Sequence, residues 1–380
     1  MLVCLFLLLL SFSEFARPAG SDTSFEKSLP FLEDGRIATE QVEEAYQFSG
    51  LAAYFNDVQY YVVSESSIRQ LEEAEDIELQ DGEWLAIAGR FNVLLIKQSG
   101  VSFRYAENSI WILNPETVNG NSSNVFLVTK PQLPDLAPEL DQLRYVHLWS
   151  GLACLARFAE YLIVFIHSNI AASWALSIFI FSVIVKILLL PVARLTKNSQ
   201  DKANLLRAKL DPELAQIKRD YDGEEAHNRI MAAHKSLGVT PFYGLKPMLV
   251  TLIQLPILIA VFNALGEMPQ FSGQSFLWID DLARPDVLGL LSTSVPLLGD
   301  KFSLLPFLMS GVTLASVFLM DNRGVPASAI RGQRLNLILM SIGFLILFYP
   351  FPSAMVLYWM FANFLQLAGL GLRNIFTPLS

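Results

Sequence analysis

From residue 171 onward, apolar runs alternate with shorter polar stretches. The runs at about 174–192, 243–265, 303–320, 335–349 and 353–372 read as five membrane-crossing helices. The last two are joined by YPFPS, whose two prolines cannot sit inside one continuous helix. Upstream, the segment from His147, HLWSGLACLARFAEYLIVFIHS, is apolar apart from Arg157 and Glu160, three positions apart on one face. It predicts an interfacial amphipathic helix over 146–170. Before it the period shortens: VQYYVV, EWLAIAG, FNVLLIK, SIWIL and NVFLVT are strand-length runs separated by Gly, Asn, Asp and Pro. They predict a small β-rich domain over 20–145, led by a helix through IATEQVEEAYQFSGLAAYF. Residues 1–19 include LVCLFLLLLSF, too short to span and read as a signal-peptide core or a shortened anchor.

The stretch 193–241 is too long for a simple connection. Leu206, Leu210, Leu214, Ile217 and Tyr221 recur at helical spacing, and Asp211 with Pro212 reads as an N-cap and first helical residue. A second helix from about Gly223 to Leu237, ended by Gly238, completes an antiparallel hairpin. A solvated linker and a docking arm for nascent chains or a ribosome both fit this hairpin.

Composition agrees with a membrane protein: the 380 residues are 53% hydrophobic and 17% charged, with mean hydropathy +0.41. Charge is uneven. Residues 1–150 carry 22 acidic and 9 basic groups, whereas residues 151–380 carry 14 and 18. Ala193 to Pro247 holds ten Lys and Arg and Asp321 to Arg334 holds three, while Gly266 to Phe302 has two against five acids. The positive-inside rule therefore puts the first two connections and the chain end in the cytoplasm and the β-rich domain outside. Asn121 and Ser123 form a glycosylation-type sequon, which matters only in a eukaryotic secretory route. The only two cysteines, Cys4 and Cys154, lie in apolar runs, so no disulfide framework is expected.

Candidate chemistry centres on Lys186, within FSVIVKILLLPVARL. It lies about six residues, roughly 9 Å, from the cytoplasmic end of its span, so it can snorkel to the interface or face a wet cavity. Polar stripes on other faces favour the cavity. Ser182 is one turn before Lys186; Thr251 and Gln254 are three apart; Trp359, Asn363 and Gln366 fall at i, i+4 and i+7. For each stripe the plainer alternative is an interhelical hydrogen bond. No carboxylate sits mid-span, which argues for a hydrated pocket over a proton relay. There is no GxSxG or HExxH, and His147, His167, His227 and His234 lie outside the five spans, so hydrolase chemistry is not expected. His227 and His234 read as solvated residues. Neither a metal nor a cofactor is expected. A small-solute transporter is the alternative, against which no inverted repeat or broken helix is visible; a passive scaffold would make Lys186 dispensable.

The strings KILLLP, LDPELAQI, IQLPILIAVFNAL, FLWIDDLARPD and FPSAMVLYWMFAN occur in an order and spacing that resemble the YidC family of membrane protein insertases, over about Leu143 to Ile375. Upstream, DGEWLAIAGRFNVLLI and VTKPQLPDLAPELDQLRYVHLW look like the end of the periplasmic β-sandwich of Gram-negative members, much shortened. The resemblance implies an α-helical membrane protein of the bacterial inner membrane. Its core, 171–375, would be five helices with the cytoplasmic hairpin at 193–241, preceded by the small β-rich extracytoplasmic domain. It implies an insertase and chaperone for nascent membrane proteins that uses a hydrophilic groove and no ATP, in contact with lipids, a Sec translocon and a ribosome, with no DNA. The family's groove cation is usually arginine; Lys186 occupies that place, five positions before Pro191, without the planar fork. Gln254, Trp359 and Asn363 match family groove positions. The sequence ends in FTPLS where the family can carry a basic tail, which leaves cotranslational ribosome docking open, with the cytoplasmic hairpin as its candidate route.

Overall fold

The computed structural model describes residues 36–97, 100–113, 124–239, 254–295, 299–318 and 327–376, with isolated positions at 242, 249 and 252. The leader 1–19, the sequon at Asn121, Thr251, most of the span read at 243–265 before residue 254, and the loop 319–326 lie outside the described residues. Contacts gather into two units. One comprises Met1–Leu162, Val261–Ser303 and Tyr349–Met355; the other comprises Ile163–Ala260, Leu304–Phe348 and Val356–Ser380.

The first unit is built on antiparallel strands: β1 (Gln59–Val63), β2 (Ile68–Gln70), β3 (Glu75–Glu78), β4 (Trp84–Ala88), β5 (Asn92–Ile96), β6 (Ser102–Ala106), β7 (Ser109–Ile112) and β8 (Val125–Thr129). They form a five-stranded sheet, β2-β1-β4-β5-β8, and a three-stranded one, β3-β6-β7. Pleating sorts the side chains. Tyr60, Val62, Leu85, Ile87, Leu94 and Ile96 pack with Ile77, Phe103, Tyr105, Ile110 and Ile112 of the smaller sheet. The opposite face, with Tyr61, Val63, Ala86, Val93 and Leu95, is covered by Leu133, Leu140 and Leu143. Burial on both faces is why WLAIA and NVLLI read as continuous apolar runs. β6 and β7 meet at Glu107 and Asn108, both with positive φ (50° and 53°), as a two-residue hairpin whose twist matches its strands.

The leading helix predicted for 37–55 does not form. Ile37 donates to the Ile110 carbonyl at 2.9 Å beside the end of β7, and Ile37 and Val42 enter the core between the sheets. Only Gly50–Asn56 is helical, and it is a 3-10 helix after Gly50 at φ +58°. Pairing with the sheet edge outweighs the weak helical pattern of the segment.

The helices are α1 (Ser150–Asn169), α2 (Trp174–Asp220), α3 (Gly223–Ser236), α4 (Leu255–Glu267), α5 (Leu305–Phe318), α6 (Ala327–Phe348) and α7 (Ser353–Phe376), with a hairpin of β9 (Gly289–Val295) and β10 (Gly299–Phe302) between α4 and α5. Among the described residues, three are long and apolar enough to cross a membrane: α1, α2 and the part of α6 from Ile330 to Phe348; α4 and α5 give shorter apolar helices. The turn 349–352 separates α6 from α7, where YPFPS requires it.

α2 is 47 residues long, roughly 70 Å at 1.5 Å per residue, and begins where the Ser173 hydroxyl accepts the Leu176 N–H. It runs through Pro191 and Pro212 without a break, so Asp211 is not an N-cap. The physical reason lies in the stripe Leu210, Leu214, Ile217 and Tyr221, which continues in phase across Pro212. It packs on Ala226, Ile230 and Ala233 of α3, opposing the ~3 kcal/mol that an interior proline costs. The predicted hairpin therefore forms from the polar end of α2 and from α3, which ends before Gly238 at φ +65°. His234 is not solvated: it is 6% exposed, with Nδ1 2.7 Å from the Ile230 carbonyl, whereas His227 is exposed.

Candidate functional site

The polar residues singled out on α2 and α7 lie in the second unit, where aromatic pairs fix the register of the two helices. Phe179 meets Phe361 edge to face at 5.2 Å between ring centres, and Phe181 lies 5.9 Å from Tyr358. Further along both helices, Lys186 Nζ donates to Gln366 Oε1 at 3.2 Å. Lys186 is half-buried and Gln366 exposed. An ammonium carries three donors. Among the described residues, Gln366 supplies the one acceptor seen on it, and no carboxylate pairs with it.

The rest of the α7 stripe faces other neighbours. Asn363 Nδ2 donates to Thr313 Oγ1 on α5 at 3.0 Å. Trp359 packs against both Phe344 and Phe348 of α6, with ring centres 5.2 and 5.5 Å away. Ser310 on α5 and Ser341 on α6 exchange hydroxyl-to-carbonyl bonds of 3.3 and 3.1 Å. Thus α7 carries one polar row that joins α2 through Gln366 and α5 through Asn363. Thr313, Ser310 and Ser341 were missed from sequence, although Ser310 and Thr313 sit three apart in an apolar helix and carry the same signal as the chosen stripes.

Two expected members do not join this row. Ser182 is 1% exposed and donates to the Phe179 carbonyl of its own helix at 2.6 Å. Gln254, half-buried at the start of α4, accepts the Leu258 N–H through its backbone carbonyl, and no side-chain bond among the described residues links it to Lys186. Thr251 lies outside the described residues. No cluster of metal-ligating side chains occurs among the described residues.

The first unit holds a second group of charges that sequence reading missed. Arg90, in the β4–β5 turn, donates to the carbonyls of Gly266 (2.7 Å) and Ala283 (2.9 Å) and pairs with Glu44 at 3.1 Å. Its guanidinium lies 4.9, 4.4 and 4.3 Å from the rings of Phe48, Phe55 and Phe91. Burial lowers its pKa to about 10, partly opposed by Glu44. The adjoining Gly89 has no room for a side chain, since a Cβ would meet the Val42 carbonyl oxygen at 2.0 Å. Nearby, Lys130 pairs with Glu267 at 2.7 Å, and His147 Nε2 lies 2.7 Å from Asn263 Oδ1. The two charges read on α1 also find partners: Glu160 with Arg144 (2.8 Å) and Tyr145 (2.9 Å), and Arg157 with Asp141 (2.6 Å). Burial and the Glu160 charge together raise the pKa of Tyr145.

Comparison with known proteins bears on the same helices. The family described as 60Kd inner membrane protein matches residues 165–372. "Membrane protein insertase YidC" of Chlamydia caviae is 35% identical over 196 residues, which are 50% of this chain and 24% of that protein. The protein of the same name in Syntrophobacter fumaroxidans is 26% identical over 266 residues, 68% of this chain and 45% of the relative. The chain thus spans less than half the length of either relative. A solved structure described as "Active YidC insertase crystal structure with the first transmembrane domain resolved" aligns over 97% of this chain and 98% of its own, with TM-score 0.40 and 18% identity. With a family match that covers more than half of its residues, the chain belongs to the 60Kd inner membrane protein family.

Proposed function

We propose that this protein inserts nascent membrane proteins into the bacterial inner membrane and assists their folding there, as the names of its relatives suggest. The observation that carries the reading is the state of Lys186: a cation in an apolar helix whose described partner is one neutral amide oxygen. Such an ammonium needs water or a visiting acceptor for its remaining donors. Lys186 and Gln366, with the polar row through Asn363 and Thr313, would line a hydrophilic groove. Gln254 and Thr251, from the span read at 243–265, and Trp359, from the family pattern, belong to this proposal as further lining, whereas Ser182, turned onto its own helix, does not.

The mechanism needs no covalent step. A hydrophilic flank of a nascent chain crosses hydrocarbon only by losing the hydration of its peptide and charged groups. A watery indentation shortens that dry path, and Lys186 offers an acidic segment a temporary partner. The apolar segment then moves into lipid, driven by burial worth roughly 25 cal/mol per Å². ATP hydrolysis has no role in this scheme. The β-rich unit would lie on the periplasmic side and the hairpin of α2 and α3 in the cytoplasm. A Sec translocon and a ribosome are candidate partners there, the latter through the hairpin.

The test is complementation. A Gram-negative host depleted of its own insertase receives the intact chain or its Lys186 variants, and insertion of short membrane proteins is followed by protease protection. The intact chain and Lys186→Arg are expected to restore insertion, with Lys186→Ala and Lys186→Glu impaired. Failure of the intact chain at normal membrane levels would overturn the assignment.

A further inference from the structure

Two side-chain amides on α7, Asn363 and Gln366, are held in opposite senses, and the chemistry of their partners dictates the sense. A carboxamide has an acceptor oxygen at one end and a donor nitrogen at the other. Asn363 meets Thr313 Oγ1 at 3.0 Å, and the single hydrogen of that hydroxyl is given to the Met309 carbonyl. Thr313 can therefore only accept. Asn363 turns Nδ2 toward it and keeps Oδ1 for another partner. Gln366 meets the Lys186 ammonium at 3.2 Å, and an ammonium only donates. Gln366 accordingly turns Oε1 toward it and keeps both hydrogens of Nε2.

Positions 363 and 366 are neighbours on the helix surface, with Cβ atoms about 5–6 Å apart. Asn363 is half-buried and Gln366 exposed, and among the described residues neither Asn363 Oδ1 nor Gln366 Nε2 has a protein bond. Thus α7 presents an acceptor and a donor side by side, each fixed from behind by a different helix. Phosphate and carboxylate oxygens only accept, so they match Gln366 and leave Asn363 unmet. An extended peptide matches both, because each residue of a strand turns its N–H and its C=O to the same edge and exchanges both with a facing pair. A helical segment does not, since its N–H and C=O groups are already bonded to each other.

We propose that Asn363 and Gln366 form a main-chain binding site for an extended segment of a nascent protein, with Thr313 and Lys186 as the positioning residues that set the two amides. This rests on the insertase reading and deepens it: the group recognised is the peptide unit, whatever side chains accompany it. A peptide group that enters hydrocarbon unpaired costs several kcal/mol, and this cost is common to every substrate. The two spare donors of Lys186 remain for acidic side chains.

The test uses the full chain in detergent and two synthetic single-span peptides with an uncharged flank rich in Ser and Gln. One is all-amide; in the other, esters replace alternate peptide bonds of the flank, which removes N–H donors and weakens the carbonyls. Binding is followed by the anisotropy of a fluorescein on the peptide. The parent is expected to bind the amide flank about fivefold more tightly than the ester flank, the worth of about one hydrogen bond. Gln366→Met and Asn363→Leu should each bring that ratio close to one, as should Gln366→Glu, whose carboxylate pairs with Lys186 and carries no donor. Thr313→Val, which releases the Asn363 amide without touching it, should roughly halve the ratio at an unchanged melting temperature. A ratio of one in the parent would overturn the proposal, since water or the apolar span would then account for binding. So would a ratio that Gln366→Met leaves unchanged; Gln366 is exposed, and this variant decides the matter even where Asn363→Leu fails to fold. If the ratios behave as expected but the chain in phosphatidylethanolamine and phosphatidylglycerol vesicles inserts neither peptide above protein-free vesicles, the insertase reading fails and the main-chain site stands.

Discussion

Arg90 and Lys186 are two cations in largely apolar surroundings, one in each unit, and their surroundings differ in kind. Arg90 has a carboxylate, two carbonyls and three aromatic faces within reach, and its side chain is 1% exposed. Lys186 has the amide of Gln366. A buried cation whose partners lie within its own unit is a structural part, even with its Nη2 left unbonded among the described residues: removing it strands Glu44. A cation held by one neutral acceptor retains donors for something else. The comparison separates a residue that organises the β-rich unit from one whose remaining donors, on the proposed reading, would meet a moving substrate.

The largest expected effect tests the first half of that contrast. Arg90→Met leaves the Glu44 carboxylate buried without its partner and should destabilise the β-rich unit by about 3–5 kcal/mol, read by chemical denaturation in detergent. Arg90→Lys keeps the charge but not the fork and should recover only part of that loss. A change under about 1 kcal/mol for Arg90→Met would mean that the unit does not depend on the pair, and the contrast would collapse.

Next comes the second half. Lys186→Ala should reduce insertion by about tenfold, equivalent to about 1.4 kcal/mol, while melting temperature in detergent barely moves. Equal activity from Lys186→Ala, Lys186→Glu and the parent would make the lysine a snorkelling bystander. The Asn363–Thr313 bond sharpens the line between glue and groove: a double-mutant cycle of Asn363→Leu and Thr313→Val should give a coupling of about 0.6 kcal/mol in stability. A loss of insertion well beyond that coupling would assign Asn363 to substrate contact as well. Smallest of all, Ser182→Ala removes a bond to the residue's own helix and should change stability by less than about 0.5 kcal/mol and leave insertion unaltered. A marked insertion defect would show that the hydroxyl turns toward substrate in the working state.

The sequence by itself determined the parts that depend on local pattern and solvent. The strand runs, the break at YPFPS, the hairpin closed by Gly223 and Gly238, and the charged face at Arg157 and Glu160 were legible because period, turn chemistry and hydropathy act over a few residues. The stripe across 210–221 was legible too, but its continuity through Pro212 was not, since packing against α3 decides whether a proline ends a helix. Likewise the helical pattern at 37–55 gave way to a sheet edge far along the chain. At the candidate site, polarity could be read and partnership could not. Asn363 finds Thr313, Lys186 finds Gln366, Ser182 turns back on its own helix, and Arg90 collects Glu44, Gly266 and Ala283 from widely separated segments. A side chain's composition states which bonds it needs, whereas only the tertiary arrangement brings distant acceptors within hydrogen-bond reach and so decides which needs are met inside the protein and which are left for a ligand.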